Sequence, residues 1–308
     1  IVDQTGGTGI AIRRAPEVRF RYRYATNGLA LRLSPAEAER LAGLPGVVQV
    51  EPAGVDHVTT DRGPTWIGAP GVWDGTALGR EVGTYGEGIV VGDIDTGIAM
   101  GHRSFAEVDE RGYEHLNPRG RFFGMCDPNN VHFNARYVCN DKLIGVYSFL
   151  ETGTNAMDPE DDNGHGTFPA STAAGNFVSV GWGAPTIDVP GVFSGVAPHA
   201  NIIAYDACYT ASNGMGTCPG EATLAALDQA VADGVDVINY SIETGQGSPW
   251  SDVHYQAWRR VRDAGIFASV SAGNAGPAAS TVNAVAPWTM SVAATTHDRA
   301  AGLVGLTN

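Results

Sequence analysis

A chain of 308 residues with 43% hydrophobic residues, 17% charged residues and 41 glycines has the makeup of a compact, turn-rich globular protein, not of a disordered or fibrous one. It exceeds the usual size of a single domain, so one large α/β domain with a small appendage is expected. The formal net charge of -14 argues against nucleic acid as a partner, because phosphate binding needs clustered Lys and Arg, and no apolar run reaches membrane-spanning length.

Residues 18 to 24, "VRFRYRY", alternate apolar and basic side chains and predict a half-buried strand. A second strand, "LALRL", follows, and then "SPAEAERLAGLPG". There Ser34 can cap a helix with Pro35 at its first position and Glu37 completing a capping box. "VVQV" reads as a further short strand, and the polar, glycine-rich stretch after it reads as a linker. These first 60 residues hold seven Arg against six Asp or Glu, so the acidic charge belongs to the rest of the chain, and the two parts can attract each other.

From about residue 88 apolar strands alternate with helices. "GIVVGDI" and "NIIAY" predict strands, "EATLAALDQAVADG" a helix, "VDVINYSI" a strand and "SDVHYQAWRRVRDAG" a helix. The strands "IFASV" and "TMSVAAT" complete the series. This order predicts a doubly wound parallel sheet with helices on both faces, whose functional groups gather beyond the C-terminal ends of the strands. The four cysteines fall as two local pairs, Cys126 with Cys139 and Cys208 with Cys218. Two disulfides in an oxidising compartment are the favoured reading over a zinc site, with four ordinary thiols as the plain alternative.

Three polar residues stand where that sheet would place chemistry. Asp95 in "DIDTGI" follows the strand of residues 89 to 94. His165 lies between Gly164 and Gly166 at the start of a helix, and Asn274 in "SVSAGNAGP" follows another strand. Singly, each has an ordinary structural explanation: a turn aspartate, a core histidine, a turn asparagine. Together they have the chemistry of acyl transfer. An imidazole takes a proton from a hydroxyl nucleophile, a carboxylate fixes its tautomer, and an amide donor stabilises the oxyanion by about 3 to 4 kcal/mol. The glycines read as room for a substrate backbone.

The segments "VVGDIDTGI", "NGHGTFPASTAAG" and "SAGNAGP" resemble, in wording and order, those of the subtilisin-like serine proteases, the subtilases. "YRYATNGLALRLSPAEAERLAGLPGVVQVEP" is similar to the second half of a subtilase inhibitory propeptide. The cysteine-containing stretch from Cys126 resembles the branch that carries a protease-associated domain. The resemblance implies an α/β subtilisin-like fold with a small N-terminal α+β propeptide remnant at residues 1–58. Residues 59–308 would be the N-terminal part of the catalytic domain, with a processing junction near Thr59. It implies a secreted, self-processing serine endopeptidase acting on polypeptide substrates, with its own propeptide as intramolecular inhibitor, no cofactor, no assigned metal site and no nucleic-acid or membrane partner. It makes Asp95 the orienting acid, His165 the general base and Asn274 the oxyanion donor. Ser241, Ile242 and Glu243 would lie on the strand that pairs with substrate, and Ala272 and Gly273 would line the specificity pocket.

Departures from the pattern set the alternatives. The nucleophile motif GTSMA does not occur in the 308 residues, so the chain is expected to be a fragment, inactive alone, whose serine lies outside it. Phe168 replaces a histidine of the usual HGTH, Glu243 replaces a glycine, and Asp93 replaces an apolar residue, where burial without a partner would be expensive. These changes leave open a pseudoprotease or peptide-binding module without catalysis. An aspartic protease would need a second "DTG" loop in a mostly β fold. A metallohydrolase would use Asp93, Asp95, Asp161, Asp162 and His165 as ligands. His102 is read as structural, and His57, His115, His132, His199, His254 and His297 have no evident partners in the sequence.

Overall fold

The computed structural model describes residues 17–22, 28–47, 50, 63–151, 156–184, 187–212, 214, 216–243 and 247–295. Two compact units divide the chain, one of residues 1–59 with 298–308 and one of residues 60–297. In the first, β1 (Glu17–Tyr22) pairs antiparallel with β2 (Gly28–Arg32), Val18 opposite Leu31 and Tyr22 opposite Gly28. Helix α1 (Pro35–Ala42) begins as its sequence predicts, with the Ser34 N–H and hydroxyl both donating to Glu37 Oε2 at 2.7 Å. The end of the first expected strand, the middle of "VVQV" and the junction at Thr59 lie outside the described residues.

The second unit opens with two short helices, α2 (Gly63–Trp66) and α3 (Ala69–Trp73). Strand β3 (Val90–Asp95) follows, then β4 (Phe123–Gly124), β5 (Leu143–Ser148) and helix α4 (Thr167–Ala174). An antiparallel hairpin of β6 (Val178–Ala184) and β7 (Ile187–Phe193) leads to β8 (Asn201–Asp206). A small ribbon of β9 (Tyr209–Thr210) and β10 (Gly216–Thr217) precedes α5 (Gly220–Asp233) and β11 (Val237–Tyr240). Helix α6 (Val253–Asp263), β12 (Phe267–Ser271) and β13 (Met290–Val292) complete it.

Seven of these strands form one wholly parallel sheet in the order β13-β12-β11-β3-β8-β5-β4. Five of them match the apolar segments read from sequence. Strands β4 and β5 carry no clear sequence signal, because β4 is two residues long and a disulfide-closed loop, not a helix of recognisable period, joins it to β5. The hairpin β6–β7 likewise lies outside the segments whose sequence predicts a strand. Both disulfides are formed, Cys126–Cys139 and Cys208–Cys218.

Alternation along β3 sorts its side chains to two faces. Val90 and Ile94 belong to the apolar cluster that takes in Leu227 and Ala230 of α5 and Tyr255, Trp258 and Val261 of α6. Val91 belongs to the cluster that takes in Ala170 and Ala174 of α4, with Asp93 and Asp95 in step with it on that face. The small α4 residues let that helix lie close to the sheet, which sets its N-terminal end beside the end of β3.

Candidate active site

Asp95 is the last residue of β3, not the first beyond it, and pairs in register with Asp206 of β8. It is 1% exposed. His165 Nδ1 lies 2.7 Å from Asp95 Oδ1, which also accepts the Thr96 N–H at 2.7 Å. An ionised carboxylate only accepts, so Nδ1 carries the ring proton and Nε2 keeps its lone pair. The His165 side chain is 54% exposed. Its pKa is raised, first by the hydrogen bond to Asp95, with partial burial working the other way.

Two residues whose role the sequence did not suggest hold this pair in place. Asp161 Oδ1 accepts from the Thr96 hydroxyl at 2.9 Å, Asn163 N–H at 3.1 Å and Gly164 N–H at 2.8 Å. Its Oδ2 accepts from the Thr167 N–H at 2.8 Å and hydroxyl at 2.6 Å. It thereby satisfies an open N–H at the start of α4, as a capping side chain does. The Thr96 hydroxyl also accepts the Gly166 N–H at 2.8 Å, tying the loop after β3 to the loop that carries His165. The only sequence signal was an acidic residue ahead of a helix start.

The glycines around His165 serve this packing. Gly164 has φ +87°, and a Cβ on Gly166 would sit 2.2 Å from the Gly97 carbonyl oxygen. Gly166 is therefore required by the approach of the two loops, which corrects the expectation that it clears room for substrate.

Asp93 is buried but not unpartnered: its Oδ1 accepts from Asn239 Nδ2 at 2.8 Å, across the β3–β11 pairing, and the same amide donates to Ser241 Oγ at 3.0 Å. Asp93 Oδ2 and Asp95 Oδ2 are buried without a hydrogen bond among the described residues. Burial first, then the charge of Asp95, raises the Asp93 pKa well above the usual carboxylate range. Asp206 accepts from Ser148 Oγ at 2.8 Å and is pushed up to about 8, mainly by burial.

Asn274 lies three residues beyond β12, two strands from β3 at the same edge of the sheet. Its N–H donates to Glu243 Oε1 at 3.0 Å. Strand β11 ends at Tyr240, so Ser241, Ile242 and Glu243 follow the strand instead of lying on it, because pairing with β12 stops at Tyr240–Val270. Ala272 accepts the Asn283 N–H at 3.0 Å through its carbonyl, and Gly273, at φ +87°, donates to Ser271 Oγ at 3.1 Å. Among the described residues no three His, Cys, Asp or Glu side chains converge to hold a metal ion, and both Asp161 oxygens are already taken by protein donors.

His102 caps a short turn, accepting the Ser104 N–H at 3.3 Å. Three other histidines do have partners: His115 with Asn176, His199 with Glu87 and His254 with the Gly220 carbonyl. Their partners are 34 to 112 positions away in the chain, beyond the reach of sequence pattern.

Residues 86–305 match the subtilase family, and residues 11–57 match the peptidase inhibitor I9 family. The chain belongs to the subtilase family. Among its relatives, subtilisin-like protease SBT1.7 of Arabidopsis thaliana is 33% identical over 94% of this chain and 37% of its own length. SBT2.1 of the same plant is 36% identical over 91% of this chain and 34% of its own length. Subtilisin-like protease Glyma18g48580 of Glycine max is 34% identical over 91% of this chain and 36% of its own length. This subtilase chain thus spans little more than a third of the length of these relatives. No helix among its described residues is long and apolar enough to cross a membrane.

Proposed function

We propose that this chain contributes the acid, base and oxyanion groups of a secreted serine endopeptidase made as a self-processing precursor. The observation that carries the reading is the 2.7 Å contact of His165 Nδ1 with the buried Asp95 carboxylate. It fixes the tautomer in which Nε2 can accept a proton from an attacking hydroxyl. A serine from a segment outside these residues attacks the peptide carbonyl, and His165 takes its proton. Asp95 stabilises the imidazolium, the Asn274 side-chain amide donates to the oxyanion, and His165 returns the proton to the leaving amine. Ser241–Glu243 and Ala272–Gly273 hold the substrate backbone and side chain. Residues 1–58 act as the remnant of an inhibitory propeptide, a role supported by the I9 match, and the catalytic unit starts near Thr59. The two disulfides support an oxidising, extracellular location.

The test uses the full-length protein. A fluorophosphonate probe is expected to label it, and His165→Ala is expected to abolish both labelling and cleavage near Thr59. Normal maturation of that variant, or no labelling of the wild type, rejects the assignment.

A further inference from the structure

Neighbouring parallel strands β11 and β12 run in register as far as Tyr240 and Val270. Beyond them the chain leaves as two segments, Ser241–Glu243 and Ala272–Asn274. A gap between the C-terminal ends of adjacent strands is where open α/β sheets receive their ligands. Glu243 reaches across this gap. Its Oε1 takes the Asn274 N–H at 3.0 Å and lies 3.4 Å from where a Cβ on Gly273 would be. The side chain is exposed, and its Oε2 has no hydrogen bond or ion pair among the described residues.

A second observation concerns charge. The stretches that follow the five inner strands of the sheet, residues 96–102, 149–166, 207–219, 241–252 and 272–289, contain no Lys and no Arg, and Arg136, in the stretch after edge strand β4, is paired with Asp158. They do contain Glu151, Asp158, Glu160, Asp161, Asp162, Glu243 and Asp252. Most of that acidity is committed internally. Both Asp161 oxygens are bonded, Asp162 accepts from the Thr210 hydroxyl, and Asp252 caps α6. Asp158 accepts from the Tyr137 hydroxyl. Glu243 is the carboxylate that spans the gap itself with an oxygen to spare.

We propose that Glu243 is a specificity-determining residue that selects polypeptides placing a Lys or Arg side chain between Ser241–Glu243 and Ala272–Asn274. The proposal rests on the endopeptidase reading above. With one oxygen engaged by Asn274, the carboxylate offers a single acceptor, so it discriminates cation from neutral or acidic side chains and not Arg from Lys. An ion pair in open water is weak, but a peptide lying over the gap excludes water and strengthens it. The surrounding acidic rim attracts cationic peptides at longer range, an effect that falls with salt.

The experiment compares fluorogenic peptides, identical except for one residue varied among Arg, Lys, Leu and Glu at each position before the scissile bond. Full-length wild type and Glu243→Gln are assayed at low and high salt. The amide oxygen of Gln can still accept the Asn274 N–H, so the change removes charge and keeps the contact. At one position wild type is expected to favour Arg and Lys over Leu by about 10-fold in kcat/KM, and over Glu by more, with the margin shrinking in high salt. In Glu243→Gln the ratio of Arg to Leu is expected to fall to about one. A wild-type ratio near one at every position, or a ratio unchanged in the variant, overturns the proposal. An equal loss on all peptides overturns it too, because it marks Glu243 as a structural latch. Binding of the same peptides to His165→Ala, read by fluorescence anisotropy, separates the two readings. Cation-selective binding without wild-type cleavage sinks the endopeptidase reading alone, and charge-blind cleavage or binding sinks this one.

Discussion

Asp161 is the residue on which the geometry of the Asp95–His165 pair most depends. Asp161→Ala strands three N–H groups, of Asn163, Gly164 and Thr167, and two hydroxyls, of Thr96 and Thr167. Loss of a helix cap costs about 0.5 to 2 kcal/mol, and each donor left buried and unsatisfied costs about 1 to 3. The site is only half-buried, so water replaces part of what is lost, and the two hydroxyls can turn to other acceptors. A destabilisation of about 2 to 4 kcal/mol is expected, a fall of about 10 °C in Tm for a unit of this size. The loop carrying His165 then keeps the Thr96–Gly166 bond and the contacts of Asn163 and Asp162 with Thr210 but loses the anchor at its centre, and a displacement of about 1 Å at the base costs about 100-fold in kcat/KM. Differential scanning calorimetry and peptidase assays on the full-length protein measure both. Asp162→Ala is the internal control, since Asp162 is exposed and among the described residues accepts only from the Thr210 hydroxyl, and it is expected to cost under about 1 kcal/mol. If Asp161→Ala resembles Asp162→Ala in Tm and kcat/KM, the reasoning is refuted.

Three further outcomes are expected. The His165 pKa is raised by its bond to Asp95, so kcat/KM rises with pH through a value above 6.5. Asp95→Asn is expected to lower that midpoint and reduce the rate by about 10⁴-fold; an unmoved acid limb in a pH profile counts against the pairing. Asp206 has its pKa raised to about 8 in the folded chain, so the native state binds that proton more tightly than the unfolded one. Its contribution to stability is full below about pH 4 and is lost as pH rises to about 8. Asp206→Asn keeps an acceptor for Ser148 and should raise Tm at pH 8 while leaving it unchanged near pH 4; a shift of equal size at both would contradict the burial argument. Replacing Cys208 and Cys218 by Ser opens a loop of sequence separation 10, expected to cost about 2 to 3 kcal/mol in chemical denaturation. An unchanged midpoint would show that this loop is not constrained by the bond.

The sequence by itself determined the alternation of elements and the chemistry on offer. Apolar runs such as "GIVVGDI" and the helical spacing of α5 are local signals, because side-chain period depends only on neighbouring backbone geometry. The capping box at Ser34 and Glu37 is local for the same reason. Asp95 and His165 were legible as candidates because each lies at the end of such an element, His165 between two glycines and Asp95 two residues before Gly97.

Only the tertiary structure decided which groups meet. The Asp95–His165 contact spans 70 positions and the Asp93–Asn239 contact 146, and both follow from strand order and from how close α4 lies to β3. Sequence pattern made Asp93 an expensive buried charge; the pairing of β3 with β11 supplied its amide partner. It made Asp161 one acid in an acidic stretch, and packing of the loops after β3 and β5 turned it into the anchor of the site. It read Gly166 as space for substrate, whereas the backbone of Gly97 occupies that space. Period and composition describe one segment at a time. A hydrogen bond between segments requires the sheet to be assembled before its two atoms have a distance at all.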